Sequence, residues 1–306
     1  MNQTTLNGKA SLSGQGLHTG KQVTVTLCPA PANSGILFRR TDLSPQVDIP
    51  ALASKVGSTA RGTTLKEGKA TISTIEHLMS ALHGMEVDNA IIETNGEEIP
   101  ILNGSAIQWV EAIQKVGILQ LDAPRHYLNI TQPYTLSVGS STFSVEPAND
   151  FAVHCIIDFH TTVLGRQEAY LQGFNTYSEE VAPCRTFVFL HEISTLLTLG
   201  LIKGGSLENA LVFTDKPLGP LVKRSLAKHY GINPDEVTVH NGVLNTQQPI
   251  FDNEPARHKM LDFIGDILLV GAPLRGHFTI QYPGHHANTI FAQNLRELYK
   301  NSLSSQ

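Results

Sequence analysis

A histidine and two carboxylates recur at four-residue intervals in Arg257-His258-Lys259-Met260-Leu261-Asp262-Phe263-Ile264-Gly265-Asp266. Residues four apart share one face of a helix, so His258, Asp262 and Asp266 form a polar stripe. An imidazole and a carboxylate one turn apart can hold one divalent ion, and a third ligand must then come from elsewhere. The same spacing also describes an ordinary solvated helix face. Two further histidine sites stand out, His77 beside Glu76, and His285. If His77 is the third ligand, the set leaves one position open to water, as in a catalytic zinc site, where the water's pKa falls to roughly 7. Glu76 could then take the water's proton. It also fits a capping box, Ser73-Thr74-Ile75-Glu76, with Ser73 as the N-cap. A cationic histidine could protonate a leaving amine, and His285 is the candidate, with Asp266 to keep it charged. Spacing alone leaves these pairings across the chain open. The HExxH motif is absent, because Thr195 stands where the second histidine would follow His191-Glu192.

These residues need elements to hold them. Leu261, Ile264 and Leu268 recur at helical spacing, with Pro255 suited to the first turn and Gly271 and Pro273 to the stop. Residues 71–84 read as a second helix through Ile72, Ile75, Leu78, Met79 and Leu82, and Gly104-Ser105 leads into a third through Trp109 and Ile113. Val23, Val25 and Leu27 alternate with polar residues as a strand does. Strands are expected at 36–38, 89–93, 127–130, 134–146, 151–159 and 277–281. A strand-helix-strand is expected at 186–213 and a last helix at about 287–300. Gly117 to Pro124 is a plausible boundary, dividing the chain into domains 1–122 and 125–306. Each half places strands first and helices later, which is α+β organisation, with a weak internal duplication possible.

The chain has 306 residues and a formal net charge of −5, with a pI near 6.2. That balance argues against a nucleic-acid binder relying on a basic surface. Cys28, Cys155 and Cys184 are odd in number and match no metal or redox spacing, which suits a reducing compartment. No secretory signal is visible at the start, and no apolar run approaches the roughly eighteen residues of a membrane span. A cytoplasmic enzyme or binding protein is expected.

Several stretches in order resemble the UDP-3-O-acyl-N-acetylglucosamine deacetylase family, zinc amidases of lipid A biosynthesis in Gram-negative bacteria. They are Gly16-Leu17-His18-Thr19-Gly20, Ser73 to Leu78, Asp88-Asn89, Glu98-Ile99-Pro100 with Asn103-Gly104-Ser105, Arg185-Thr186-Phe187, Gly204-Gly205-Ser206, Arg257 to Asp266, and Gly284-His285. The resemblance implies two domains of similar β-α-α-β topology forming a sandwich with helices between sheets and the site at their junction. It implies zinc ligands His77, His258 and Asp262 (iron(II) suits the same set), Glu76 as base, and His285 as acid oriented by Asp266. Thr186 would donate to the oxyanion, and Lys259 and Phe187 would meet the sugar region. An insert at about 186–212 would form an acyl passage with Leu190, Ile193, Leu196, Ile202, Leu207 and Val212. From the residues alone such a stripe reads as core. His18, in a glycine-flanked loop, is a further candidate to line the site.

The sequence departs from the family pattern at two places. Tyr282-Pro283 stand where a basic residue often precedes the Gly-His motif, and Gly62 where many relatives carry a cysteine. His286 competes with His285 for the C-terminal role; Gly284 before it and Asn288 after it favour His285. The remaining histidines, His83, His126, His154, His160, His229, His240 and His277, read as structural or surface residues. The implied reaction is hydrolysis of the N-acetyl group of a UDP-3-O-acyl-N-acetylglucosamine by a monomer. Alternatives are an amidohydrolase for another acetylated sugar, and a non-catalytic nucleotide- or RNA-binding protein.

Overall fold

In Gln22–Pro29 alternate side chains turn inward, burying Val23, Val25 and Leu27 under one face of a sheet. The computed structural model describes residues 1–244 and 248–300, apart from the side chains of Ser194, Leu197, His229 and Tyr230. Its helices are α1 (Glu76–Gly84), α2 (Ile107–Val116), α3 (Tyr177–Glu180), α4 (Leu190–Thr198), α5 (Pro220–Tyr230), α6 (Glu254–Ile267) and α7 (His285–Leu298).

The N-terminal half is built on a sheet ordered Ala10–Gln15, Gln22–Pro29, Ala90–Thr94, Ile36–Arg40, Val47–Pro50. The C-terminal half has a sheet ordered Tyr134–Val138, Ser141–Glu146, Leu274–Gln281, Phe151–Asp158, Arg166–Gln172, with Leu128–Asn129 attached to its central strand. The two share one pattern. In each, the strand latest in sequence lies at the centre, antiparallel to one neighbour and parallel to the other. In each, one α-helix comes last before that central strand and one first after it, α1 and α2 in the first half, α6 and α7 in the second. The possible duplication read from the sequence is therefore a duplication of topology.

Helices α1 and α6 lie inside. Every residue of α1 is buried, as are most of α6 on all sides. Phe263 of α6 packs with Phe143, Phe278 and Phe291. Each such buried side chain contributes about 1.5–3 kcal/mol. Helices α1 and α6 come together tightly at Gly265, where a Cβ would stand 2.1 Å from the Glu76 carbonyl oxygen. A glycine inside a helix costs roughly 1 kcal/mol relative to alanine, and here it lets two backbones touch. The chain passes between halves through Ile118–Pro124, which pairs antiparallel with Asn2–Leu6.

Two local expectations fail. Residues 70–72 are a strand paired with Thr64–Glu67, and the helix begins only at Glu76. The capping box does not form. Thr74 has φ +58, which no helix admits, and the Ser73 hydroxyl donates to the Glu97 carbonyl instead. The Glu76 carboxylate is thereby left free of capping. The insert is a small sheet of Phe187–Phe189, Leu211–Phe213, Val243–Leu244 and Val239–His240, covered by α4 and α5 around its own apolar cluster. Among the described residues no helix is long and apolar enough to cross a membrane.

Candidate metal centre and the polar groups around it

His77 lies in the first turn of α1, and His258 and Asp262 are one turn apart on α6. The close crossing at Gly265 brings residues from both halves together, with potential ligand atoms all within 4.8 Å of one another. His77 Nε2 is 3.6 Å and His258 Nε2 3.4 Å from Asp262 Oδ1. The two imidazoles meet edge to face, with centroids 5.0 Å apart. His258, Asp262 and Asp266 are only 1, 2 and 1% exposed, which rules out the solvated-face reading of the stripe.

Asp262 Oδ1 is buried with no hydrogen-bond donor, although its Oδ2 accepts from Lys259 Nζ at 2.8 Å. A buried carboxylate oxygen left without a partner is costly. His258 Nδ1 stands 3.1 Å from the Cys184 carbonyl oxygen. Donating there leaves Nε2 with its lone pair turned to Asp262, the orientation usual for a metal-ligating histidine. Burial lowers the His258 pKa to about 3, so its ring is neutral, as a ligand must be. Burial opposes ionisation of Asp262, but its polar neighbours, the charged Lys259 among them, outweigh it and hold the carboxyl well below its usual range. Two imidazoles facing an orphaned carboxylate oxygen suit a divalent cation.

Glu76 is 3% exposed. Its Oε2 accepts the Thr63 backbone N–H at 2.9 Å. Burial raises its pKa, offset in part by His285 and His77. His285, the first residue of α7, has Nδ1 3.0 Å from Asp266 Oδ2. A cation at a helix N-terminus is disfavoured by the dipole, and burial also works against it. The carboxylates of Asp266 and Glu76 overcome both and raise its pKa to about 9. Asp266 Oδ2 also accepts from Asn288 Nδ2 at 2.9 Å, and Oδ1 from the Thr63 hydroxyl at 2.6 Å. His286 is exposed.

Beside these groups lies a cavity of about 100 Å³ lined by His18, Arg61, Thr186, Phe187, Ile193, Leu196, Ile202 and Val212, among others. Leu190 and Leu207 pack in the apolar cluster of the insert and do not line it. Phe187 joins the cavity to the centre, its ring centroid 6.3 Å from that of His258 and its face 5.5 Å from Lys259 Nζ. The carboxylates around Lys259 raise its pKa despite burial, so the ammonium is charged. His18 Nδ1 is buried without a partner. A larger cavity of about 330 Å³ sits at the other end of α1, lined by His83, Glu86, Asp88, Arg125 and Arg296 among others, and none of the site residues reaches it.

Two polar residues of this region escaped the sequence reading. Thr63 touches Glu76, Asp266 and His285, and nothing in its own segment marks it. Glu98 is fully buried and accepts the His18 and Thr19 N–H groups at 2.7 and 2.8 Å, which fixes the glycine-flanked loop. Its Glu-Ile-Pro motif was visible, its role was not. Of the other histidines, His83 is buried with its pKa lowered to about 4, while His154 pairs with Glu168. His126, His160 and His240 are exposed and His277 is half-buried. The side chain of His229 lies outside the described residues.

The profile of the UDP-3-O-acyl N-acetylglycosamine deacetylase family matches residues 3–229 and 218–297. A bifunctional enzyme LpxC/FabZ of Porphyromonas gingivalis is 42% identical over 97% of this chain, which spans 65% of that protein. A UDP-3-O-acyl-N-acetylglucosamine deacetylase of Teredinibacter turnerae is 40% identical over 97% of the chain and 90% of its own length. One of Myxococcus xanthus is 41% identical over 94% and 84% respectively.

Proposed function

Because the chain belongs to the UDP-3-O-acyl N-acetylglycosamine deacetylase family, we propose that it hydrolyses the N-acetyl group of a UDP-3-O-acyl-N-acetylglucosamine, releasing acetate and the free amine in the lipid A pathway. The observation that carries this reading is the unpartnered Asp262 Oδ1 facing two imidazoles, with a buried carboxyl and a charged histidine alongside.

His77, His258 and Asp262 would hold a divalent ion, zinc in our reading with iron(II) as the alternative, which when bound makes a water acidic and polarises a carbonyl. Glu76 takes the proton of the attacking water, a task suited to a carboxylate that burial makes more basic. His285, cationic at neutral pH, stabilises the negative oxygen that forms and passes its proton to the departing amine. Asp266 holds the imidazole with Nδ1 toward itself, leaving Nε2 for the reaction. Thr186 donates to the same oxyanion, and Lys259 and Phe187 contact the sugar. The apolar cavity of Ile193, Leu196, Ile202 and Val212 receives the acyl chain, with His18 at its polar side. The protein acts as a cytoplasmic monomer in this reading.

The test is acetate release from the acylated sugar nucleotide, with and without a chelator, beside the same compound lacking its acyl chain. Chelator-sensitive release that requires the chain is expected. Equal release from the unacylated compound would keep the amidase and remove the lipid substrate. No release from either by the metal-loaded protein would overturn the reading.

A further inference from the structure

We infer that Thr63 is a positioning residue that sets the base and the acid of the site relative to each other; this rests on the roles proposed above for Glu76 and His285. Thr63 is fully buried and belongs to the N-terminal half, just before the strand Thr64–Glu67. It makes two hydrogen bonds of different kinds. Its backbone N–H donates to Glu76 Oε2 at 2.9 Å. Its hydroxyl donates to Asp266 Oδ1 at 2.6 Å, on α6 of the other half.

The consequence follows from what each partner does. Asp266 receives the His285 Nδ1–H and the Asn288 amide on Oδ2. Its other oxygen has the Thr63 hydroxyl as its hydrogen-bond donor. The hydroxyl therefore fixes the rotation of the Asp266 carboxylate, and the carboxylate fixes the plane of the imidazole. Thr63 Oγ1 also lies 3.5 Å from His285 Nδ1, so the hydroxyl stands against the ring it orients. Through its backbone the same residue holds the Glu76 carboxylate. Gly62, before it, has no side chain to crowd that carboxylate, since a Cβ there would stand 3.1 Å from Glu76 Oε1. One residue thus ties two groups on different halves to a common reference. A few tenths of an ångström matter to proton transfer, whose donors and acceptors must meet within about 2.6–3.2 Å.

Thr63→Val keeps the shape and the N–H and removes only the hydroxyl; Thr63→Ser restores it. For the valine variant the expected result is kcat lower by roughly 10- to 100-fold, in the range of acid–base contributions, with KM and bound metal unchanged. The serine variant should recover to within a few-fold of the parent. A second readout needs no turnover. The ring nitrogen resonances of His285 in the metal-free protein, assigned with His285→Asn, should move in Thr63→Val and return in Thr63→Ser. Unchanged His285 resonances in the valine variant would overturn the inference. So would a loss of kcat that tracks a loss of metal, or that serine fails to rescue. Failure of the functional reading is separate: it shows as an inactive parent protein, while the His285 resonances still decide the role of Thr63.

Discussion

At the scale of residues the site is a set of charges that burial would extinguish and neighbours keep. The neutral His258 and the ionised Asp262 are both ready to ligate before any ion arrives. His258→Ala removes one of the three proposed ligands, and the expected outcome is metal content falling from about one per chain to near zero, measured by elemental analysis of the dialysed protein. Retention of stoichiometric metal would refute the ligand set. Glu76→Gln keeps the carboxylate's shape and should retain metal and fold while turnover drops on the order of 10²-fold or more. His285 contributes to the pH dependence of stability in the metal-free protein between neutral and alkaline pH. Its folded pKa of about 9 lies above its ordinary value of 6.5. Its contribution is therefore complete below pH 6.5, shrinks as pH rises, and is gone above about pH 9. Thermal unfolding of the metal-free protein at pH 6 and pH 9.5, beside His285→Asn, checks this: the parent should lose the larger part of its advantage over the variant at pH 9.5. The polar stripe of His258, Asp262 and Asp266 could be read from the chain because four-residue spacing places side chains on one face of a helix. Thr63 could not, because Asp266 and His285 lie 203 and 222 residues away and no local pattern marks its bond to Glu76.

At the scale of elements, the site depends on how near α1 can come to α6. Gly265 decides this, and two magnitudes compete there. Alanine would gain about 1 kcal/mol of helix propensity. It would also place a methyl group 2.1 Å from the Glu76 carbonyl oxygen, where something must shift, and overpacking of that kind costs typically 1–3 kcal/mol. The clash is against backbone in a fully buried helix, so it wins. Gly265→Ala should lower the denaturant midpoint and weaken metal binding together, since α1 carries His77 and α6 the other two ligands. A variant as stable as the parent, with its metal, would show that the crossing has room. The amphipathic pattern of α6 was legible, whereas its complete burial was not, since a helix between two sheets shows the same polar stripe as one facing water. The start of α1 was misread for a related reason. Ser73 and Glu76 have the spacing of a capping box, but a sheet contact through Ser73 and a left-handed Thr74 take the chain another way. Local propensity gave way there to pairing with residues more than twenty positions on.

At the scale of the whole molecule, two halves of one topology are joined where their equivalent helices α1 and α6 meet, and the candidate ligands are shared across that joint. Periodicity made the strands and helices visible in each half, but the common order of strands within the two sheets is a property of pairing, which no single segment encodes. Shared ligands have a thermodynamic consequence. An ion that needs His77 from one half and His258 with Asp262 from the other binds only when the halves are docked, so its binding free energy adds to the stability of the docked state. Free metal at a hundred times its dissociation constant adds about 2.7 kcal/mol. At roughly 2–4 °C per kcal/mol for a chain of 150–250 residues, a shift of several degrees in the unfolding midpoint is expected on adding zinc to the metal-free protein. In His77→Ala the shift should shrink to a small fraction, although two ligands remain on α6. If that variant is stabilised as much as the parent, the ion is held within the C-terminal half alone and the joint owes it nothing.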